Sequence, residues 1–451
     1  MSTTLDRREF LKKVAATGLA GSLAGVVSTG CHQQRANLPA LLWPDRPRDL
    51  VRVGFVGIGN MGRGHIENLL RIEGCQIAAV CDILPERAQW ARQRIIDSGQ
   101  PEPKVYGQRG ERDFQRLCQQ EDLDLVYTAT PWQWHTPICV AAMANGKHAA
   151  CEVPIATTLD ECWQLVETSQ RYKRYCVMME NCCYDRIEMA VLNMVRQGLF
   201  GQLLHAECGY LHDLRELKLS PTYYQGMWRL KYAIHRNGNP YPTHGIGPVA
   251  WCMDILRGDR FEYLVSMSTK SIGLNLYAKA RYPQWADQRF KLGDINTTLI
   301  HTALGKTIIV KHDTHLPRPY SRDFLIQGTR GLVRKYPQPL IYIEGEGASD
   351  QWQPFAKYLE GYEHPVWEAL NKQAQGAGHG GMDFIEDYRL IQALRKGVPP
   401  DIDVYDSVTW SAIFPLSERS VAARGRPVAF PDFTGGKWGS ARPLGVFEHQ
   451  L

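Results

Sequence analysis

Three glycines, at 57, 59 and 62, are spaced for nucleotide chemistry. The apolar run Val51-Arg52-Val53-Gly54-Phe55-Val56 reads as a buried strand, and it passes straight into Gly57-Ile58-Gly59-Asn60-Met61-Gly62. A helical pattern follows through Arg71, with Ile66, Leu69 and Leu70 on one side. In that strand-turn-helix setting GxGxxG allows a tight turn and brings backbone N–H groups against a pyrophosphate at the positive end of a helix. A second apolar run, 76–81, ends in Asp82, twenty residues after Gly62. A carboxylate there accepts from ribose hydroxyls and repels a 2′-phosphate, so the expected cofactor is NAD rather than NADP. The cysteines form no CxxC pair, and no metal is expected.

Such a loop works only when a sheet holds it. Residues 123–130 read as another buried strand, ending at Pro131-Trp132-Gln133-Trp134-His135; 147–151 end at Glu152-Val153-Pro154; 175–180 end at Asn181. Thr158 with Glu161 has the spacing of a capping box. Alternating strands and helices predict an α/β, doubly wound parallel sheet of Rossmann type over 51–182, with ligands at its strand ends. Beyond it the texture changes. A helix at 189–197 is followed by alternating segments at 203–211 and 263–271, and by a hairpin of 297–303 with 307–313 that turns at Gly305-Lys306. Residues 376–404 look helical again, opening near Gly380-Gly381-Met382-Asp383. Residues 183–451 are therefore expected to form an α+β domain with a mainly antiparallel open sheet.

The chain has 451 residues, 44% hydrophobic and 22% charged, which is globular and excludes disordered or multi-span classes. Its net charge of +5, from 52 basic and 47 acidic residues, comes without a basic stripe, so nucleic acid is not an expected partner. The N-terminus is distinctive. Arg7-Arg8-Glu9-Phe10-Leu11-Lys12-Lys13 precedes seventeen uncharged residues and Cys31, the pattern of a twin-arginine signal peptide over 1–31. The apolar stretch is shorter than the roughly 20 residues of a spanning helix. The expected partner during export is the twin-arginine translocase, and the destination is the periplasm or, as a lipoprotein, the membrane surface. Ser28-Thr29-Gly30-Cys31 leaves a lipid anchor open, because a leucine is expected where Ser28 stands. Residues 32–50, with Pro39, Pro44 and Pro47, read as a tether. Eleven further cysteines suit export in the folded state, with the thiols already buried and a cofactor already bound.

Longer motifs make the resemblance specific. The architecture resembles the Gfo/Idh/MocA oxidoreductases. Thr130-Pro131-Trp132-Gln133-Trp134-His135-Thr136-Pro137, Glu180-Asn181-Cys182-Cys183-Tyr184, Tyr241-Pro242-Thr243-His244-Gly245, Pro317-Arg318-Pro319-Tyr320-Ser321-Arg322 and Gly378-His379-Gly380-Gly381-Met382-Asp383 closely resemble glycoside hydrolase family 109. That family is known for NAD-dependent α-N-acetylgalactosaminidase activity. One departure from the wider superfamily fits: its dehydrogenases usually carry Glu-Lys-Pro, and the lysine handles the hydroxyl proton, whereas this chain has Val153, which cannot act as acid or base.

The resemblance implies a sequence of steps with no net redox change. C3 of the sugar is oxidised, the aglycone leaves C1 by elimination after loss of the C2 hydrogen, water adds, and C3 is reduced again. It implies NAD contacts from Gly57, Gly59, Asn60, Met61, Gly62, Asp82, Trp132, Gln133, Trp134, His135, Glu152, Val153 and Asn181. Substrate contacts come from Tyr210, Arg229, Tyr241, Pro242, Thr243, His244 and Tyr320. Tyr241 and His244 are the expected proton-transfer pair, Tyr241 with a phenol pKa lowered by the positive nicotinamide. Without the family, His244 reads as a hydrogen-bonded structural residue and Tyr241 as a turn former. The remaining expected partner is a small-molecule or glycan-end substrate, and a homo-oligomer stays open. Two other readings stay open as well, an exported sugar oxidoreductase and a catalytically silent glycan-binding lipoprotein.

Overall fold

The structure, a computed structural model, describes residues 42–440 and 442–448. The twin-arginine segment, Cys31 and the first part of the tether lie outside the described residues. From Trp43 onward the chain forms one compact unit.

Short runs rich in Val, Ile, Ala and Cys, buried on both faces, build a parallel sheet, since only helix-covered strands tolerate such continuous apolarity. Its strands are β1 (Val51–Val56), β2 (Cys75–Cys81), β3 (Lys104–Tyr106), β4 (Leu125–Thr128), β5 (His148–Cys151) and β6 (Cys176–Met178). They are ordered β3-β2-β1-β4-β5-β6 and all pair in parallel. The order reverses between β1 and β4, which opens a crevice above their carboxyl ends. Two strands stop short of their apolar runs: 123–130 yields Leu125–Thr128 and 175–180 yields Cys176–Met178. At the carboxyl end of β4, Ala129 and Thr130 leave the ladder and line the crevice, whereas Asp124 and Tyr175 precede their strands at the opposite edge.

The second sheet has nine strands: β7 (Leu203–Leu211), β8 (Phe261–Ser268), β9 (Ile295–Thr302), β10 (Thr307–Asp313), β11 (Leu325–Gly328), β12 (Gly331–Arg334), β13 (Leu340–Ile343), β14 (Gln353–Pro354) and β15 (Val428–Ala429). Their order is β14-β13-β12-β11-β7-β10-β9-β8-β15. Neighbours are antiparallel except β7 and β10, which run parallel, so the sheet is mixed but mainly antiparallel. The hairpin of β9 and β10 turns at Gly305, whose φ of 83° is left-handed.

Two expectations are corrected here. The helical stretch at 376–404 is split: a 3-10 turn, Gly378–Gly381, leads into the helix Met382–Lys396, which ends at Gly397 in the left-handed region. A separate helix, Val404–Ala422, is launched by an Asp403/Asp406 capping box. It is the tie between the sheets, because Ser407 Oγ accepts from Met178 N–H at 3.0 Å and Ser420 Oγ accepts from Ser266 N–H at 2.8 Å. Residues 43–50, expected in the tether, are docked on the first sheet. Trp43 stacks on Tyr175, Asp45 pairs with His148 at 2.8 Å, and Arg48 pairs with Asp124 at 3.1 Å. An aromatic and two charges with buried or half-buried partners outweigh the proline content of this segment.

Candidate active site

The crevice at the strand-order reversal continues into a cavity of about 560 Å³. Its nucleotide end is made by backbone. Gly57 has φ 89°, and a Cβ there would meet Thr130 Cγ2 at 2.7 Å; a Cβ on Gly62 would run into the Gly57 carbonyl. Around Gly59 the space is open, with only Arg87 Nη1 near, at 3.8 Å. Two glycines thus pack the loop while the third leaves room over the first turn of the helix Asn60–Leu69, whose N–H groups point at that room. Gly57, Gly59, Asn60, Met61 and Asp82 line the cavity; Gly62 does not. Asp82 is fixed by the loop itself, accepting from Ile58 N–H at 2.6 Å and from Leu84 N–H at 2.8 Å. A carboxylate has further lone pairs to accept ribose hydroxyls. These features fit a dinucleotide.

Past the pyrophosphate position, Trp132, Gln133, Trp134, His135, Glu152, Val153 and Asn181 all line the cavity. His135 is tied down rather than available, with its ring nitrogens 2.7 Å from the Pro154 and Thr130 carbonyls. It joins the loop after β4 to the loop after β5, across a cis peptide before Pro154. Asn181 donates to Asp383 Oδ1 at 2.7 Å. Trp132 stacks on Tyr241, with centroids 5.5 Å apart and planes at 18°.

On the other side, Tyr210 from β7, Arg229 from the helix Trp228–His235, and Tyr241 and His244 at the head of the helix Thr243–Cys252 line the cavity. Arg229 is buried without a carboxylate partner among the described residues. Its guanidinium lies over Tyr241 at 4.5 Å, Trp132 at 5.2 Å and Tyr224 at 5.5 Å, and it donates to Tyr224 Oη at 3.0 Å. Faces of aromatic rings offset part of the cost of burying such a cation. His244 Nδ1 is 2.6 Å from Glu180 Oε1, and Glu180 is fully buried. Since an ionised carboxylate only accepts, Nδ1 carries the proton and Nε2 is the nitrogen available to a ligand. Glu180 was not apparent as a site residue in the sequence; its place directly before Asn181, at a strand end, is the one signal that could have found it.

Three expected contacts are not in the cavity wall. Pro242 and Thr243 start the helix Thr243–Cys252, and Thr243 is fully buried. Tyr320 lies behind Tyr210, with centroids 6.0 Å apart, and accepts from Arg322 Nη1 at 3.0 Å. At Tyr241 the protein's own groups act against the lowering of the phenol pKa expected from a positive nicotinamide. Burial pushes it well above the ordinary value, although Arg229 pulls it down. Tyr210 is likewise lifted to about 12 by burial. Both phenols are therefore neutral donors. His212, which was not among the expected contacts, is 2.9 Å from Tyr210 Oη, and burial and Arg229 lower its own pKa. Donor atoms of Glu180, Cys182 and His244 lie within 4.8 Å of one another. Nδ1 and Oε1 are at hydrogen-bonding distance, however, and neither Glu180 nor Cys182 lines the cavity, so the cluster serves to orient His244.

Comparisons with known proteins agree with this anatomy. Residues 184–440 match the family model "Glycosyl hydrolase 109, C-terminal domain", and residues 51–180 match "Oxidoreductase family, NAD-binding Rossmann fold". A glycosyl hydrolase family 109 protein of Saccharopolyspora erythraea is 45% identical over 451 residues, covering 98% of this chain and 97% of its own. One from Shewanella amazonensis is 46% identical, covering 98% and 99%. Among solved structures, an inositol dehydrogenase homolog complexed with NAD+ from Azotobacter vinelandii superposes with a TM-score of 0.61 at 20% identity, covering 87% of this chain and all of its own. Levoglucosan dehydrogenase in complex with NADH and levoglucosan gives 0.65 at 20% identity, covering 84% and 99%. At that identity the likeness is one of fold.

Proposed function

The chain belongs to glycosyl hydrolase family 109, with an NAD-binding Rossmann domain, and from that premise we propose that it releases terminal α-linked N-acetylgalactosamine with retention. The observation that carries the reading is the pairing of Val153, where a dehydrogenase needs its lysine, with a Glu180-held His244 in the same cavity. Simple alcohol oxidation loses its usual base, while removal of a carbon-bound proton gains one.

When bound, NAD supplies the reversible withdrawal of a hydride from C3, which acidifies the hydrogen on C2. The protein does the rest. His244 Nε2 takes the C2 proton, and the buried Glu180 carboxylate stabilises the imidazolium that forms. The C1–O bond then breaks, with Tyr241, neutral because it is buried, as the donor to the departing oxygen. Arg229, a cation without a carboxylate partner among the described residues, faces the oxygen on which negative charge gathers and can hold the acetamide carbonyl. Water addition reverses the proton transfers.

The substrate is tested with aryl glycosides. Release from the α-N-acetylgalactosaminide should exceed release from the α-galactoside and from the β-N-acetylgalactosaminide, and a preference for either of the latter would overturn the assignment. We extend the proposal to location: export through the twin-arginine pathway, with NAD loaded before transport. Fractionation of cells expressing Arg7→Lys/Arg8→Lys should find the protein retained inside, and unchanged export would refute this.

A further inference from the structure

Behind the cavity wall, Glu152 is backed by an ionic chain. His65, on the helix Asn60–Leu69, places Nε2 2.9 Å from Glu152 Oε1 and Nδ1 2.9 Å from Asp387 Oδ2. His65 is 1% exposed and Asp387 is fully buried. Ionised carboxylates on both sides only accept, which sets both ring nitrogens to donate and makes His65 an imidazolium, in line with a pKa that Asp387 and Glu152 raise against burial; Tyr127 Oη also lies 2.9 Å from Nδ1. Asp387 also receives Tyr127 Oη–H at 3.0 Å and Asn68 Nδ2 at 2.9 Å. Asp383, Glu386 and His379 act on the chain from further off. Glu386 is buried with neither oxygen hydrogen-bonded, and burial holds it neutral.

Only Glu152, of the three linked groups, reaches the cavity, and the residue beside it is Val153. Helix Met382–Lys396 brings Asp387 from 322 positions away in sequence to His65. A hydrophobic contact would have joined these helices at less electrostatic cost. Keeping an ion chain here therefore asks for a use.

We propose that His65 and Asp387 are positioning residues of a proton store that opens into the cavity at Glu152 and replaces the missing lysine. The inference rests on the oxidation-elimination reading. In that scheme the C3–H bond breaks with its electron pair passing to the nicotinamide, the O–H bond on C3 breaks with its proton passing to Glu152, and the C3–O double bond forms. The same proton must return when C3 is reduced. His244 is occupied with the C2 proton, and Tyr241 is already protonated, so neither can hold it. As Glu152 gains the proton, the Nδ1 proton of His65 moves to Asp387, leaving all three groups neutral. Burial raises the proton affinity of Asp387 against the pull of His65, whereas at Glu152 the pull of His65 outweighs burial and lowers it, so Glu152 can keep the proton only once His65 has passed its own to Asp387.

The test uses the full chain with its bound nucleotide and the variants His65→Gln and Asp387→Asn. Expected are a fall in kcat of about 10- to 100-fold at an unchanged KM, and an equal slowing of the absorbance change that marks nicotinamide reduction on mixing with sugar. A purely structural role would lower melting temperature and nucleotide retention together while leaving the pH profile of kcat as in the wild type, and that result would overturn the proposal. Histidine ¹⁵N spectra of the wild-type protein provide a readout independent of turnover and of how the variants fold. Two protonated ring nitrogens on His65 at pH 7 support the store, and a single one overturns it. Failure of the oxidation-elimination reading would look different: aglycone release without C2 exchange and without nicotinamide reduction, with the histidine spectra unaffected.

Discussion

Two histidines, one in the cavity wall and one behind it, each rest against buried carboxylate, and they are set up for different work. His244 has one partner, Glu180, and keeps Nε2 for a ligand; His65 has a carboxylate on each nitrogen and does not reach the cavity. The number of acceptors around the ring, rather than the residue type, separates a base that takes a proton from substrate from a cation that shares its protons with the carboxylates on either side.

Breaking the first arrangement should have the largest effect. His244→Ala is expected to cost about 10³-fold in kcat while bound nucleotide is retained, as read by turnover and by the nicotinamide spectrum of the purified protein. Glu180→Gln leaves the imidazole but removes the charge that balances the imidazolium. We expect a loss of about 10²-fold in kcat with little change in KM, and an unchanged kcat would show that Glu180 only fills space.

The second arrangement should speak through stability. His65 is pulled down by burial, but Asp387 and Glu152 outweigh this and raise its pKa well above the ordinary value. A group raised in the folded state contributes stability that is complete below about pH 6.5, its unfolded value, and is lost as pH climbs through the folded value. Melting temperature should therefore fall on the alkaline side more steeply in the wild type than in His65→Gln. Asp185 offers the opposite sign. Burial raises it, yet Lys335, at 2.6 Å, and Arg322, at 3.1 Å, hold it at about 2. Its contribution is present above about pH 4 and lost as pH falls toward 2, and Asp185→Asn should flatten acid unfolding across that window. The smallest effect expected is on thiol chemistry: all eleven described cysteines are buried, so the native protein should not react with a thiol-directed dye until it unfolds.

The nucleotide end was legible because it is local. Gly57, Gly59, Gly62 and Asp82 act through backbone turns and a strand end, which short sequence windows record. β7 and the hairpin of β9 and β10 were legible for the same reason, through alternation. The helix Val404–Ala422 was not, since it is buried nearly all round and offers no polar stripe to reveal its period. Nor was the pairing of His65 with Asp387, or of His244 with Glu180, which join residues 322 and 64 positions apart. Tyr241 shows a third kind of gap. Its neighbours could be named from the resemblance, but the direction of its pKa depends on how far burial outweighs Arg229, and only the packed site decides that.

The most direct test of the account is hydrolysis of the aryl α-N-acetylgalactosaminide in deuterium oxide by protein purified without added nucleotide. The account predicts free sugar of retained configuration with deuterium at C2 and no net reduced nicotinamide. Sugar released with hydrogen still at C2, or release undiminished after the nucleotide is stripped away, would contradict it.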